Sequence, residues 1–359
     1  MTSRRSSARR GKHRRADWLS LAAASVALAL VGGCSTTSPL AGPADEFVEP
    51  LWGPSMWFAA NAGTRQDFLT DELDPLLGQP GMRLGDSGPL RIDGEGVASY
   101  INPLGELVPV LIRGPDGPWT QPLDELPNAP LIIALHQTNT DGGAEPCGDQ
   151  APEELAYGTY FADLGNISMC PTLSFTGARQ PENRWDTTAF YADYPSWSAM
   201  GKDIAEVSWL LDALTSARIL VDDVTVIGHS QGAIYGLYAA AVDERIDRVI
   251  ANAGFVSTSD DPDPGRWTRT EWYRAFRSYP AGFDFLEVVA AISPRCALLI
   301  NYDQDTTLGV TVPSSDLLVD FERRFPTIDW LTANGVHSWP DAQLVSAAEW
   351  LAAHDDGCI

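Results

Sequence analysis

One stretch in the second half of the chain constrains the fold more than any other. Val224-Thr225-Val226-Ile227 is a β-branched run with strand character, and it leads directly into Gly228-His229-Ser230-Gln231-Gly232 and then into a helix-forming segment over 232–241. Glycines flanking a serine let a strand turn sharply into a helix and leave the hydroxyl projecting from the sheet. The pentapeptide alone says little, because Gly-x-Ser-x-Gly arises by chance about 0.2 times in a chain of this composition and length. The strand before it and the helix after it carry the inference.

The surrounding pattern agrees. Strands are expected over 131–135, 167–174, 224–227, 248–251, 297–301 and 327–331, and helices over 153–164, 198–217, 232–241, 315–324 and 341–354. This alternation belongs to βαβ units and predicts a mostly parallel sheet flanked by helices. Residues 97–101 and 107–113, separated by Asn102-Pro103-Leu104-Gly105, read as an antiparallel hairpin. With 359 residues, 44% of them hydrophobic, the chain can fill one large α/β core. Between the fourth and fifth of the regular strands, residues 255–293 break the rhythm. Their Trp267, Trp272, Tyr273, Phe276, Phe283 and Phe285 suggest a cap-like insertion over the sheet.

The amino terminus reads as an export signal. Seven of the chain's 24 basic residues lie in residues 1–33, ahead of an apolar run over 19–31 that is too short for the roughly 20 residues needed to span a bilayer. Val31-Gly32-Gly33-Cys34 then resembles the lipobox of bacterial lipoproteins, which implies acylation of Cys34 and cleavage before it. The competing reading is an ordinary secretory signal followed by an incidental Cys. Arg14-Arg15 fits a twin-arginine signal poorly. Residues 34–88 are expected to be a tether and N-terminal extension, rich in Ser, Thr, Pro and Gly over 35–46, with Trp52, Trp57 and Phe58 packing on the main domain at 89–359. The net charge of -24 becomes still more negative once the basic leader is removed, which argues against nucleic-acid partners. Membrane contact is expected through the lipid anchor alone, on the extracytoplasmic face.

A serine nucleophile at 230 needs a base to take its proton and a carboxylate to orient that base. His337, in Gly335-Val336-His337-Ser338-Trp339 after the last strand, is the candidate base, and His354 at the far end of the last helix is a poor competitor. Asn301-Tyr302-Asp303-Gln304-Asp305 closes the preceding strand and offers two acids. Register favours Asp305, since a turn of a few residues must follow the strand before a carboxylate can swing towards His337; Asp303 is the rival. A pair of backbone N–H groups must also face the developing oxyanion. Gln231 supplies one from the helix start, and the loop His136-Gln137-Thr138-Asn139 the other, with Thr138 favoured and Gln137 the alternative. His136 reads as a structural hydrogen-bonder. The chain has no His-Glu-x-x-His, P-loop or dinucleotide fingerprint, so no cofactor is expected. Asp260, Asp261 and Asp263, interrupted by prolines, read as a solvated acidic loop rather than a calcium site.

These residues resemble a known family. His136-Gln137-Thr138 with Glu145-Pro146, Asp186-Thr187-Thr188-Ala189-Phe190 with Tyr194-Pro195 and Trp197-Ser198, Gly228 to Gly232, Asp243-Glu244-Arg245-Ile246, Phe283-Asp284-Phe285 and Ser293-Pro294-Arg295 look like α/β-hydrolases of the dienelactone hydrolase and acetyl xylan esterase-like type. The resemblance spans roughly residues 97–354. It implies an α/β-hydrolase fold, with Ser230 as nucleophile, Asp305 as acid and His337 as base. Ser stands where dienelactone hydrolase has Cys, which argues against lactone specificity, and Cys147 and Cys170 stand where small apolar residues are expected. The expected function is hydrolysis of a small-molecule or glycan-linked ester by an exported, lipid-anchored serine enzyme. A cell-envelope acyltransferase, a peptidase on the same triad and a catalytically silent surface binding protein are the competing readings.

Export places the remaining four cysteines in an oxidising compartment, where three pairings are open. In a parallel sheet, strand starts and helix ends share one edge. Cys296 starts a strand and Cys358 follows the last helix, which pairs them; Cys147 and Cys170 then pair with each other.

Overall fold

The computed structural model describes residues 86–358 apart from 124–125, 127–129, 150, 184, 220, 256–284, 308–314 and 355–356. The expected signal peptide, Cys34, the expected tether and N-terminal extension up to residue 85, the aspartates at 260–263 and most of the expected cap therefore lie outside the described residues.

Among the described residues, ten strands form one sheet. A meander of β1 (Arg91–Gly94), β2 (Val97–Ile101), β3 (Leu107–Gly114) and the short β4 (Gly117–Pro118) makes its antiparallel edge. β5 (Leu131–Leu135), β6 (Ile167–Pro171), β7 (Val224–His229), β8 (Arg248–Asn252), β9 (Cys296–Tyr302) and β10 (Ile328–Ala333) are parallel. The order across the sheet is β1-β2-β3-β6-β5-β7-β8-β9-β10, with β4 hanging off β3. β5 to β9 are buried along their whole length. That explains their mostly apolar sequences, because a parallel sheet is covered on both faces.

The helices are α1 (Ala144–Cys147), α2 (Tyr157–Asp163), α3 (Thr188–Asp193), α4 (Ala199–Ser216), α5 (Gln231–Val242), α6 (Phe285–Ala290), α7 (Ser315–Arg324) and α8 (Asp341–Ala353). The long α4 starts where Ser198 accepts a hydrogen bond from the N–H of Gly201 at 2.8 Å, a side-chain cap. The helix expected over 153–164 is broken at Ala156 into a 3₁₀ turn (Glu153–Leu155) and α2. The strand expected over 167–174 ends at Pro171, and the chain turns at Phe175, whose φ is 63°. β1, β4, α1, α3 and α6 carried too little periodicity to be expected.

At its near end the domain is already tied at Ser87 and Gly88. The Ser216 hydroxyl donates to the Ser87 carbonyl, and the Gly88 N–H donates to Ile101 O at 2.8 Å. Of the 255–293 segment, the described ends belong to the core, with Phe255, Leu286, Val288 and Val289 buried. The cysteines pair as sheet geometry requires. Cys147 is bonded to Cys170 with Cα atoms 6.1 Å apart, and Cys296 to Cys358 with Cα atoms 5.5 Å apart.

Candidate active site

β7 and α5 meet at Ser230, whose φ of 55° and ψ of -118° lie outside the allowed regions for an ordinary L-residue. The turn is held because the Ser230 N–H donates to Asn252 O at 2.9 Å, and the Ser230 carbonyl accepts from Ala233 and Ile234, both at 3.1 Å. Neither flanking glycine tolerates a side chain. A Cβ at Gly228 would overlap the backbone of Gly232, and one at Gly232 would overlap the Leu135 carbonyl of β5. The second contact also shows why the helix start sits against the loop that follows β5.

The loops after β9 and β10 are zipped together by backbone hydrogen bonds, from Asp303 N to Ala333 O at 3.1 Å and from Gln304 N to Gly335 O at 3.0 Å. This pairing brings Asp305 to His337, whose Nδ1 lies 2.7 Å from Asp305 Oδ2. The other Asp305 oxygen accepts the Thr307 N–H at 2.8 Å, and its side chain is fully buried. Asp303 is exposed and accepts from Gly335 N at 3.0 Å and from Asn334 Nδ2 at 3.4 Å. It braces the loop that carries His337 and does not touch the ring. With its Nδ1–H donated to Asp305, His337 keeps a free lone pair on Nε2. Its ring centroid lies 4.8 Å from that of His229, the residue before Ser230.

His229 is itself a buried neutral ring. Burial and the neighbouring His337 pull its pKa down to about 3. Its Nδ1 accepts from Asn252 Nδ2 at 2.8 Å. That same amide group donates to the Ser338 carbonyl at 2.9 Å, and Asn252 Oδ1 accepts the Tyr302 hydroxyl at 2.8 Å. Asn252, one strand over, thus clamps the loop of His337; its role lies in tertiary contacts that no motif announces.

The loop after β5 is braced from the other side. Glu145, on α1, accepts from Gln137 N at 3.3 Å, Gln137 Nε2 at 3.1 Å and Asn139 Nδ2 at 2.6 Å. Burial nonetheless raises its pKa above the ordinary carboxylate value, against the pull of those hydrogen bonds. Gln137 N is therefore engaged. The N–H groups of Thr138 and Gln231 have no acceptor among the described residues. The Thr138 hydroxyl donates to Gln231 Oε1 at 3.0 Å, so the two backbone donors belong to residues in direct contact.

His136 is a structural residue. Its Nε2 accepts the Leu173 N–H at 3.2 Å, which puts the ring proton on Nδ1, 2.7 Å from Gln137 O; burial depresses its pKa to about 4. His354 is occupied elsewhere, with Nδ1 on Trp350 O at 2.8 Å. Among the described residues no group of His, Cys, Asp and Glu could hold a metal ion.

A carbohydrate esterase family 15 glucuronoyl esterase from Caldicellulosiruptor kristjansonii superposes with a TM-score of 0.55 at 17% identity, covering 80% of this chain and 83% of that one. An acetyl xylan esterase from Paenibacillus sp. R4 gives 0.52 at 16%, covering 81% and 95%. A glucuronoyl esterase from Solibacter usitatus gives 0.52 at 12%, covering 80% and 93%. The chain has the α/β-hydrolase fold. No protein-family model and no curated protein sequence matches it. In an α/β-hydrolase, chemistry collects at the carboxyl ends of the parallel strands. Ser230, Asp305, His337, Gln231 and Thr138 all lie at that edge, after β7, β9, β10, β7 and β5.

The same edge carries a second polar cluster that the sequence did not announce. A cleft of about 250 Å³ beyond β6 is lined by Glu106, Leu107, Ser174, Phe175, Arg179 and Lys202. Lys202 Nζ donates to Glu106 at 2.6 Å, to Glu206 at 2.8 Å and to the Ser174 hydroxyl, which fills its three donors. The Arg179 Nη groups bind Glu206 at 2.5 and 2.6 Å and Glu106 at 2.7 Å. Lys202 and Glu206 stand at i and i+4 on the same helix. Both are buried.

Proposed function

We propose that the protein is a serine hydrolase that cleaves a carboxylic ester through an acyl-enzyme. The observation that carries this reading is the 2.7 Å contact of His337 Nδ1 with buried Asp305, beside the strained turn at Ser230. Ser230 Oγ attacks the ester carbonyl carbon and gives its proton to His337 Nε2. The carbonyl oxygen, now anionic, is held by the N–H groups of Gln231 and Thr138. As the tetrahedral intermediate collapses, the bond to the alcohol oxygen breaks and His337 returns the proton to the leaving alcohol. Water then attacks the acyl-enzyme by the same route, releasing the acid and restoring Ser230. Asp305 keeps His337 in the tautomer that both half-reactions need.

The substrate class follows from the structural neighbours, whose names are those of enzymes acting on acetylated xylan and on glucuronoyl esters. We extend that class to this chain as an ester borne on a glycan. Export and lipid attachment at Cys34 complete the reading, supported by the lipobox-like Val31-Gly32-Gly33-Cys34 and by two disulfides, which persist in oxidising compartments.

The test is hydrolysis of acetylated and glucuronoyl sugar esters beside p-nitrophenyl acetate, with fluorophosphonate labelling. Ser230→Ala is expected to abolish labelling and to lower turnover by about 10⁶-fold, with the fold intact by circular dichroism. Undiminished turnover in that variant sinks the assignment. Cys34→Ser is expected to release the protein from the membrane fraction or leave it unprocessed, and unchanged detergent partitioning contradicts the anchor.

A further inference from the structure

The two N–H groups proposed to hold the oxyanion come from different elements, one from the start of α5 and one from the loop after β5. No covalent link near the site sets the gap between them. The side chain of Gln231 bridges it. Gln231 Oε1 accepts the Thr138 hydroxyl at 3.0 Å, and Gln231 Nε2 donates to the Tyr235 hydroxyl at 2.8 Å. Tyr235 lies one helical turn after Gln231, on the same face of α5, and is fully buried. A phenol locked in the core thus fixes which way the Gln231 amide points, and the amide oxygen fixes where Thr138 sits. On the other flank, Glu145 draws off the Gln137 N–H, so the loop presents Thr138.

We propose that Tyr235 is a positioning residue for catalysis: through the Gln231 side chain it sets the spacing of the Gln231 and Thr138 N–H donors. This rests on the serine-hydrolase reading above and assigns a part that reading leaves open. An oxyanion donor acts only when it lies at hydrogen-bond distance from the anion of the transition state, whereas the ground-state carbonyl tolerates a looser fit. Loss of the strut should therefore lower kcat and leave KM nearly untouched.

The experiment compares Tyr235→Phe, Thr138→Val and Thr138→Ser with the unmodified protein on p-nitrophenyl acetate. Removing an oxyanion donor outright costs about 10²- to 10³-fold. Displacing one by loss of the Tyr235 hydroxyl or the Thr138 hydroxyl is expected to lower kcat about tenfold, with KM changed less than twofold and the pH profile unmoved. Thr138→Ser, which keeps the hydroxyl, is expected to restore kcat to within twofold. Tyr235→Phe combined with Thr138→Val should be no slower than the slower single variant, since both cut one path. The inhibition constant of a trifluoromethyl ketone, whose adduct carries the oxyanion, should rise by the factor by which kcat/KM falls. Unchanged kcat in both Tyr235→Phe and Thr138→Val overturns the proposal, as does a loss of thermal stability without a change in kcat or inhibitor affinity. Thr138 is exposed, so its variants keep the test open should Tyr235→Phe fold poorly. Ser230→Ala separates the two readings. If it is inactive while the strut variants are normal, only this inference fails; if it is active, the serine-hydrolase reading falls first.

Discussion

Two carboxylates two positions apart differ by one structural fact. Asp305 meets the His337 ring, while Asp303 meets backbone and Asn334. Asp305→Asn should lower turnover by about 10⁴-fold by leaving the imidazole in the wrong tautomer, and Asp303→Asn by far less. The opposite ranking in kcat would reassign the acid. Burial holds His136 near 4 and, helped by His337, His229 near 3, whereas both titrate near 6.5 in an unfolded chain. Below pH ~6.5 the unfolded chain therefore binds protons that the folded one refuses. The stability these rings contribute is complete above ~6.5. It falls by about 1.4 kcal/mol per pH unit for each ring as pH drops, down to about 4 for His136 and about 3 for His229. Urea midpoints at pH 7, 5.5 and 4.5 should show a steep loss for the unmodified protein and a slope shallower by about one proton for His136→Gln; equal slopes would contradict the assignment.

Among elements, α4 carries the least expected interior. Lys202, Asp203 and Glu206 are all buried beneath β2, β6 and the loop that holds Arg179. Burial would raise the Glu206 pKa, but Arg179 and Lys202 outweigh it and hold the carboxylate well below its usual range. Asp203 is raised well above its usual range by burial and by the Glu206 charge. A charge lost from such a cluster leaves its partners stranded. Glu206→Gln should cost about 3–5 kcal/mol in chemical denaturation, well beyond the 0–1 kcal/mol of a surface pair. A cost below ~1 kcal/mol would mean that water reaches the cluster. The helix was legible in the sequence, but the face it buries was not. Periodicity ranks faces by apolarity, and this helix is buried on its polar side as well.

The second disulfide is a property of the whole domain. It joins the start of β9 to the tail beyond α8 across 62 residues. Cys358→Ser should lower stability by about 2–4 kcal/mol, read as the midpoint difference between the variant and the oxidised protein. A shift no larger than that caused by reducing the unmodified protein is the expected control. The pairing was legible before any coordinates because chain direction in a parallel sheet leaves strand starts and helix ends at one edge. The same logic made the mostly parallel sheet and the strand-turn-helix at Ser230 readable, since each depends on local pattern plus one rule of connectivity. Local pattern could not say that Glu145 would take the Gln137 N–H, that Asn252 would clamp Ser338, or that Tyr235 would reach Thr138 through Gln231. Those contacts join residues from separate loops and strands. Hydrogen-bond partners at such distances along the chain are chosen by where packed elements bring side chains together, and a linear pattern carries no measure of that.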